Sequence, residues 1–214
     1  MLYIHIPFCA HKCGYCNFYS VVNMNSPDLY KKYLDALIKE FEIRINDFNE
    51  NIETIYIGGG TPSIIGANLL EYFFERLFEV INKNKKNDNE IKEITIEFNI
   101  NDINTDSIKV ISQIKNIRLS VGIQTFNEDS LKIINRQTKK EDIIKALKLI
   151  NKSELKNISV DFICGLPLND KEQSKKDIIF AFDLLPKIKH ISLYYLELND
   201  FLKNKWAYFL PTEE

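Results

Sequence analysis

At 214 residues the chain is long enough for one substantial core, and a single domain is the default expectation. Hydrophobic residues make up 45% and charged residues 27%, as in ordinary globular proteins, and a net charge of −2 gives no case for nucleic acid or an anionic membrane as partner. No apolar run approaches the roughly 20 residues that span a bilayer, no signal peptide is visible after Met1, and a reducing cytoplasm is the expected compartment.

Short β-rich runs alternate with longer amphipathic ones, the pattern of βαβ units that feed a parallel sheet. Strands are expected at 2–7, 54–58, 93–99, 118–125, 157–164 and 190–196. Helices are expected at about 28–47, 67–82, 105–115, 139–151 and 171–185, with a shorter one after Asn127. Ser26-Pro27-Asp28 and Asn127-Glu128-Asp129 supply helix starts, a capping side chain followed by an acidic turn. The polar stretch 82–90 reads as an exposed loop, and neither a repeat nor an interdomain linker is visible.

Alternation within the strands says more. Ile94, Ile96 and Phe98 oppose Thr95, Glu97 and Asn99; Leu119, Val121 and Ile123 oppose Ser120, Gly122 and Gln124. Ile158, Val160 and Phe162 oppose Ser159, Asp161 and Ile163, and in the first strand Leu2, Ile4 and Ile6 oppose Tyr3, His5 and Pro7. Parallel strands covered by helices on both faces read as nearly continuous apolar runs. These strands have one apolar and one polar face, so an α/β fold built as a closed or partly closed barrel with a wet interior is expected. In such barrels the C-terminal strand ends and their loops carry the chemistry.

The first of those loops holds Cys9, Cys13 and Cys16, spaced C-x3-C-x2-C. Three thiolates can hold three irons of a [4Fe-4S] cube and leave the fourth open to a small molecule. Zinc, a disulfide and unrelated buried thiols remain alternatives on spacing alone. Zinc favours four ligands, yet the remaining cysteine, Cys164, is far along the chain; a disulfide framework needs an oxidising compartment. The second strand runs into Gly58-Gly59-Gly60-Thr61-Pro62-Ser63. Glycines at a strand end allow close backbone approach and expose N–H groups to a carboxylate or phosphate. The run lacks the Lys-Ser/Thr of a Walker loop and is not G-x-G-x-x-G, and a simple tight turn is its other reading.

Taken with Leu2-Tyr-Ile-His-Ile-Pro-Phe-Cys9, Ile96-Glu97, Arg118-Leu-Ser-Val-Gly-Ile-Gln-Thr125, Asn135-Arg136, Asp161, Gly165-Leu-Pro167 and His190-Ile-Ser-Leu-Tyr194, these motifs resemble the radical S-adenosylmethionine (SAM) family. The resemblance is to the branch of the oxygen-independent coproporphyrinogen III oxidase and the heme chaperone HemW, and it runs collinearly from Met1 to about Leu198. It implies a partial (β/α)6 TIM-like barrel over 1–198, with 199–214 a tail where a further C-terminal region would begin. It also implies a [4Fe-4S] cluster on Cys9, Cys13 and Cys16, with S-adenosylmethionine chelating the open iron. Tyr3, Gly59, Glu97, Gln124, Arg136 and Asp161 match family positions around that cofactor. Tyr15, Asn17, Gly60 and Thr61 match positions that contact a further S-adenosylmethionine in the oxidase. Tyr195 falls at another contact position with a different side chain, so only a backbone contact carries over. The chemistry implied is one-electron cleavage of the sulfonium to methionine and a 5′-deoxyadenosyl radical.

Two departures bear on activity. Phe18 stands where the oxidase resembled here carries a fourth cysteine, two residues after the third, which points to the heme chaperone group; the sequence also begins nearly on the first strand. The chaperone's His-Asn-x-x-Tyr-Trp heme motif is not in the sequence, which leaves heme capture in the usual place in doubt. The leading expectation is a heme chaperone that takes heme or porphyrin as cargo, needs an electron donor and hands heme to an acceptor protein. The alternatives are the oxidase and an inactive truncated member. Of the other candidates, His5 is expected to steady its strand, His11 to be solvated, His190 to cap a strand start and Cys164 to be a small buried hydrophobe.

Overall fold

The structure is a computed structural model that describes residues 1–22, 24, 26–47, 52–84 and 90–211. Its strands and helices follow in chain order: β1 (Leu2–Ile6), β2 (Phe8–Cys9), β3 (Val21–Val22), α1 (Pro27–Arg44), β4 (Thr54–Gly59), α2 (Ala67–Lys83), β5 (Glu93–Asn99) and α3 (Thr105–Ser112). Then come β6 (Ile117–Gln124), α4 (Glu128–Ile133), α5 (Lys140–Lys152), β7 (Ile158–Cys164), α6 (Lys171–Leu184), β8 (His190–Tyr195) and α7 (Asp200–Trp206). Six strands form one all-parallel sheet in the order β1-β4-β5-β6-β7-β8. A doubly wound sheet reverses its strand order at a switch point. This one never does, so right-handed crossovers stack the helices on a single face. The α/β partial barrel expected from alternation is the architecture found, with β1 and β8 as its edges.

The outer face is the core. Ile55, Ile57, Ile94, Ile96, Leu119, Val121, Ile158 and Val160 are all essentially inaccessible. They meet Tyr30, Leu34, Ile38 and Phe41 of α1, Leu70, Phe73, Phe74 and Leu77 of α2, and Ile143, Ala146, Leu147 and Ile150 of α5. The spacing of three or four keeps each set on one helical stripe, and each large side chain so buried stabilises the fold by roughly 1.5–3 kcal/mol. Helix α1 starts as expected, with the Ser26 hydroxyl accepting from Leu29 N–H ahead of Pro27. The buried positions of α6 are Asp177 and Ala181.

Register lines up the inner face in layers. Tyr3 pairs with Tyr56, Glu97 with Ser120, Ser120 with Ser159, and Ser159 with His190; one layer toward the C-terminal ends, Asn99, Gly122, Asp161 and Ser192 align. Several bounds differ from expectation for local reasons. Helix α3 stops at Ser112 because Asn116 takes φ +59° and turns the chain into β6, which begins at Ile117. The end of α1 tightens into a 3-10 turn, Ile45–Asp47. Of the expected loop 82–90, residues 82 and 83 complete α2, and 85–89 lie outside the described residues. The stretch after Leu198, read as a tail, contains α7, whose Leu202 and Trp206 are buried. Among the described residues no helix is long and apolar enough to cross a membrane.

Candidate functional site

The cysteine loop is an excursion pinned at its base. Phe8–Cys9 pairs in parallel with Val21–Val22, and Val21 N–H donates to Pro7 carbonyl at 2.7 Å, so residues 10–20 project from the C-terminal end of β1. The far side of the loop is docked on the end of α4. Gly14 N–H donates to the Ile134 carbonyl (2.8 Å), Asn135 Nδ2 to the Lys12 carbonyl (2.8 Å), and Gln137 N–H to His11 Nε2 (3.3 Å). His11 is therefore not solvated: it is half-buried, and burial, with Arg136 nearby, lowers its pKa.

All four cysteines are free thiols and partly exposed, Cys164 included, so the latter is not the buried hydrophobe expected; it ends β7 beside Tyr195 at the open edge. Cys9 Sγ lies 3.4 Å from Thr61 Oγ1. Cys13 and Cys16 lie together in a turn closed by Cys16 N–H to the Cys13 carbonyl (3.2 Å). Burial pushes the Cys13 thiol up, the Arg136 guanidinium pulls it down, and Cys16 adds to the upward push. Among the described residues no three His, Cys, Asp or Glu side chains converge on a metal-sized site as they stand.

The glycine run crosses directly over the base of this loop. Gly60 N–H donates to the Ile6 carbonyl (2.9 Å) and Thr61 N–H to the Phe8 carbonyl (2.8 Å). Gly59 takes φ +124°, and a Cβ on Gly60 would come within 2.6 Å of the Pro7 carbonyl oxygen, so no larger residue fits that crossing. Beyond it, Ser63 hydroxyl donates to Asp102 Oδ2 (2.6 Å) and accepts from Asn99 N–H (3.0 Å), tying the run to the end of β5.

On the inner face, Tyr56 hydroxyl donates to Glu97 Oε1 at 2.6 Å. Burial pushes the Glu97 carboxyl up; Tyr56 and Gly59 N–H oppose the shift, and Asp161 adds to it. Asp161 is likewise pushed up by burial, against the neighbouring Ser192 and Ser120 hydroxyls, of which Ser120 donates to Oδ2 at 3.0 Å. Arg136, buried, donates Nη2 to the Gly122 carbonyl (2.6 Å) and Nη1 to Tyr15 hydroxyl (3.3 Å), and so joins the cysteine loop to β6. Gln124 is buried at a β-bulge with φ +72°, and it folds its amide back over Gly122. A left-handed non-glycine costs about 1–3 kcal/mol and is tolerated where the surroundings hold it. Here Asp177 does the holding: its carboxylate accepts from Thr125 hydroxyl (2.5 Å), Phe126 N–H (3.2 Å) and Gln173 Nε2 (2.7 Å).

Thus Cys9, Gly59, Gly60 and Thr61 form one side of the rim, while Cys13, Tyr15, Cys16 and Arg136 form the other. Glu97, Gln124 and Asp161 lie on the inner face between strands. Tyr3 is on β1, its hydroxyl 3.0 Å from His5 Nδ1; Asn17 is exposed on the loop; Tyr195, 85% exposed, stands on the edge strand away from the cluster of side chains. Buried polar atoms on the rim and inner face without a partner among the described residues include His5 Nε2, His11 Nδ1, Arg136 Nε and Asp161 Oδ1. Each such atom costs on the order of 1–3 kcal/mol, a large sum against a typical total of about 5–15 kcal/mol. An unmet acceptor and unmet imidazole and guanidinium nitrogens on a barrel whose rim carries three soft thiols fit a polar ligand held against a thiolate-bound metal.

The Radical SAM superfamily profile matches residues 3–177. The chain belongs to the radical SAM superfamily. Within it, the chain is 36% identical over 199 residues to the heme chaperone HemW of Lactococcus lactis subsp. lactis (strain IL1403), covering 92% of this chain and 49% of that protein. It is 38% identical over 202 residues to the heme chaperone HemW of Buchnera aphidicola subsp. Schizaphis graminum (strain Sg), covering 92% and 50%. Among solved radical SAM structures, coproporphyrinogen III oxidase (HemN) from Escherichia coli superposes with a TM-score of 0.79 at 25% identity, over 99% of this chain and 48% of that one. The chain spans about half the length of the curated relatives it matches. Asp102, Asp177 and Trp206 support the site without belonging to any of the sequence motifs. Asp177 had a signal, a carboxylate on the inward stripe of an amphipathic helix; Asp102 and Trp206 act through tertiary contacts with no local mark.

Proposed function

We propose that this radical SAM protein serves heme metabolism as a heme chaperone, binding heme or porphyrin and passing it to an acceptor protein in the cytoplasm. Cys9, Cys13 and Cys16 hold a [4Fe-4S] cluster, and S-adenosylmethionine binds between the glycine run and the inner face. The observation that carries the site is the set of unmet polar atoms on the rim and inner face, His5 Nε2, His11 Nδ1, Arg136 Nε and Asp161 Oδ1, on the barrel whose rim carries the three free thiols. When bound and reduced by a partner electron donor, the cluster supplies one-electron cleavage of the sulfonium.

The residues of the chain bind, orient and exclude water. Arg136 offers its free Nε–H to the cofactor's carboxylate, while its other nitrogens stay locked to Gly122 and Tyr15. Asp161 Oδ1 accepts a ribose hydroxyl, and Glu97 accepts from the ammonium or a ribose hydroxyl, with Tyr56 fixing its orientation. Gly59 and Gln124 contribute close backbone and amide contacts, and Tyr3 walls the β1 side. Tyr15, Asn17, Gly60 and Thr61 line the adjoining rim, and Tyr195 contributes backbone alone.

The heme reading rests on the likeness to heme chaperones over 92% of the chain. Phe18 supports it over the oxidase: it is 73% exposed and offers no thiol at the fourth-cysteine position. The likeness of the barrel to the E. coli oxidase keeps that activity as the second reading. Anaerobic cluster reconstitution followed by heme titration, read by absorbance, is the test. Saturable binding is expected; its absence sinks the chaperone, and conversion of coproporphyrinogen III to the divinyl product moves the assignment to the oxidase.

A further inference from the structure

The chain has a single tryptophan, and it is placed on the cysteine loop. Trp206 closes α7 and is 2% exposed. A methyl on Gly14, between Cys13 and Cys16, would come within 2.9 Å of Trp206 Cζ2 and 3.2 Å of Cη2. The ring thus lies flush on the one residue of that turn that has no side chain. Gly14 N–H is in turn held by the Ile134 carbonyl, so the turn is fixed both by the end of α4 and by α7.

The clamp is anchored beyond the ring. Phe209 N–H donates to the Trp206 carbonyl (2.8 Å), and the Phe209 carbonyl accepts from Leu168 N–H (2.6 Å). Leu168 sits in the loop after β7 with φ +58°, and its own carbonyl accepts from Asn127 Nδ2 (2.6 Å) just before α4. The indole Nε1 is buried without a partner among the described residues, so packing and not hydrogen bonding holds the ring. An orphan N–H kept in such a place is a cost offset only by what the ring's shape provides.

We propose that Trp206 is a positioning residue for the cysteine loop: packed on Gly14, it sets the turn that presents Cys13 and Cys16 to the cluster. The proposal rests on the cluster reading above, and the experiment separates the two. In the cluster-free full chain, alkylation by iodoacetamide with peptide mass spectrometry reads each thiol. Trp206→Ala is expected to speed Cys13 and Cys16 by about five-fold or more, with Cys164 within roughly two-fold of the parent, since access controls thiol reactivity. Unchanged rates at Cys13 and Cys16 would overturn the proposal. Trp206→Phe keeps a packed ring and removes the orphan N–H, so it is expected to restore near-parental rates; Cys13 and Cys16 as fast as in W206A would overturn it. Gly14→Ala decides the matter if W206A unfolds: its methyl pushes on the ring, and a red shift of the single tryptophan's emission is expected, an unshifted emission counting against the contact.

Reconstitution with iron and sulfide completes the test. Tryptophan emission is expected to be quenched in step with the growth of [4Fe-4S] absorbance. A full cluster with unquenched Trp206 defeats the proposal and spares the cluster reading. The expected alkylation pattern without any cluster defeats the cluster reading and spares the contact.

Discussion

Two ends of the same sheet face differ in how they treat polar groups. Near the N-terminal strand ends, Glu93 Oε1 accepts from Thr95 hydroxyl (3.2 Å) and lies 3.4 Å from Arg118 Nε, Thr95 Oγ1 accepts from Arg118 Nε (2.9 Å), and Asn157 Nδ2 donates to Glu93 Oε2 (3.3 Å). Ser159 and His190 pair at 2.9 Å. That network closes on itself. At the C-terminal ends, the Tyr56–Glu97 and Ser120–Asp161 pairs are joined by side chains with unmet atoms, and burial drives both carboxyls up. A closed polar network holds a fold together; an open one leaves buried polar atoms whose cost a bound ligand would offset.

The contrast breaks most sharply at the thiols. Cys13→Ala is expected to abolish the [4Fe-4S] absorbance band altogether after reconstitution, and an intact band would refute the ligand assignment. Next is Asp161→Ala, which removes an acceptor from the open network. It is expected to weaken S-adenosylmethionine binding by about 10- to 100-fold in anaerobic equilibrium dialysis, the range of a hydrogen bond to a charged group. Arg118→Ala, in the closed network, is expected to leave that affinity unchanged and instead cost about 1–3 kcal/mol of stability in urea unfolding. If R118A and D161A lost binding equally, the distinction between the two ends would be void.

The smallest effect is in pH. Glu97 and Asp161 hold their protons more tightly folded than unfolded, so the folded state binds more protons across the window above the ordinary carboxylate range, near pH 4. Stability therefore falls as pH rises from there through their raised folded values. Glu97→Gln removes one of the two groups, and the fall in urea midpoint across that window is expected to be shallower than in the parent. An unchanged slope would mean that Glu97 is not held protonated by its surroundings.

Much of this was legible because alternation survives burial. Thr95, Glu97, Ser120 and Asp161 could be put on one face from period two alone, and the register keeps them on that face in successive layers. The bulge at Gly122/Gln124 was not legible: Gln124 reaches the site through a left-handed turn that Asp177, 53 residues later, stabilises. Helix α7 was missed because its inward positions, Leu202 and Trp206, are too few to make a stripe, while Phe201 is exposed. The two-residue ladder of β2 and β3 carries no periodicity at all. The burial of His11 was not legible because its partner, Gln137 in the segment after α4, is over 120 residues away in sequence.

The open network as a cofactor site is tested most directly by electron paramagnetic resonance of the reduced, fully reconstituted chain with and without S-adenosylmethionine. A saturable change in the cluster signal is expected in the parent and in R118A, shifted to higher cofactor concentration in D161A. A fully formed cluster whose signal ignores S-adenosylmethionine would contradict it.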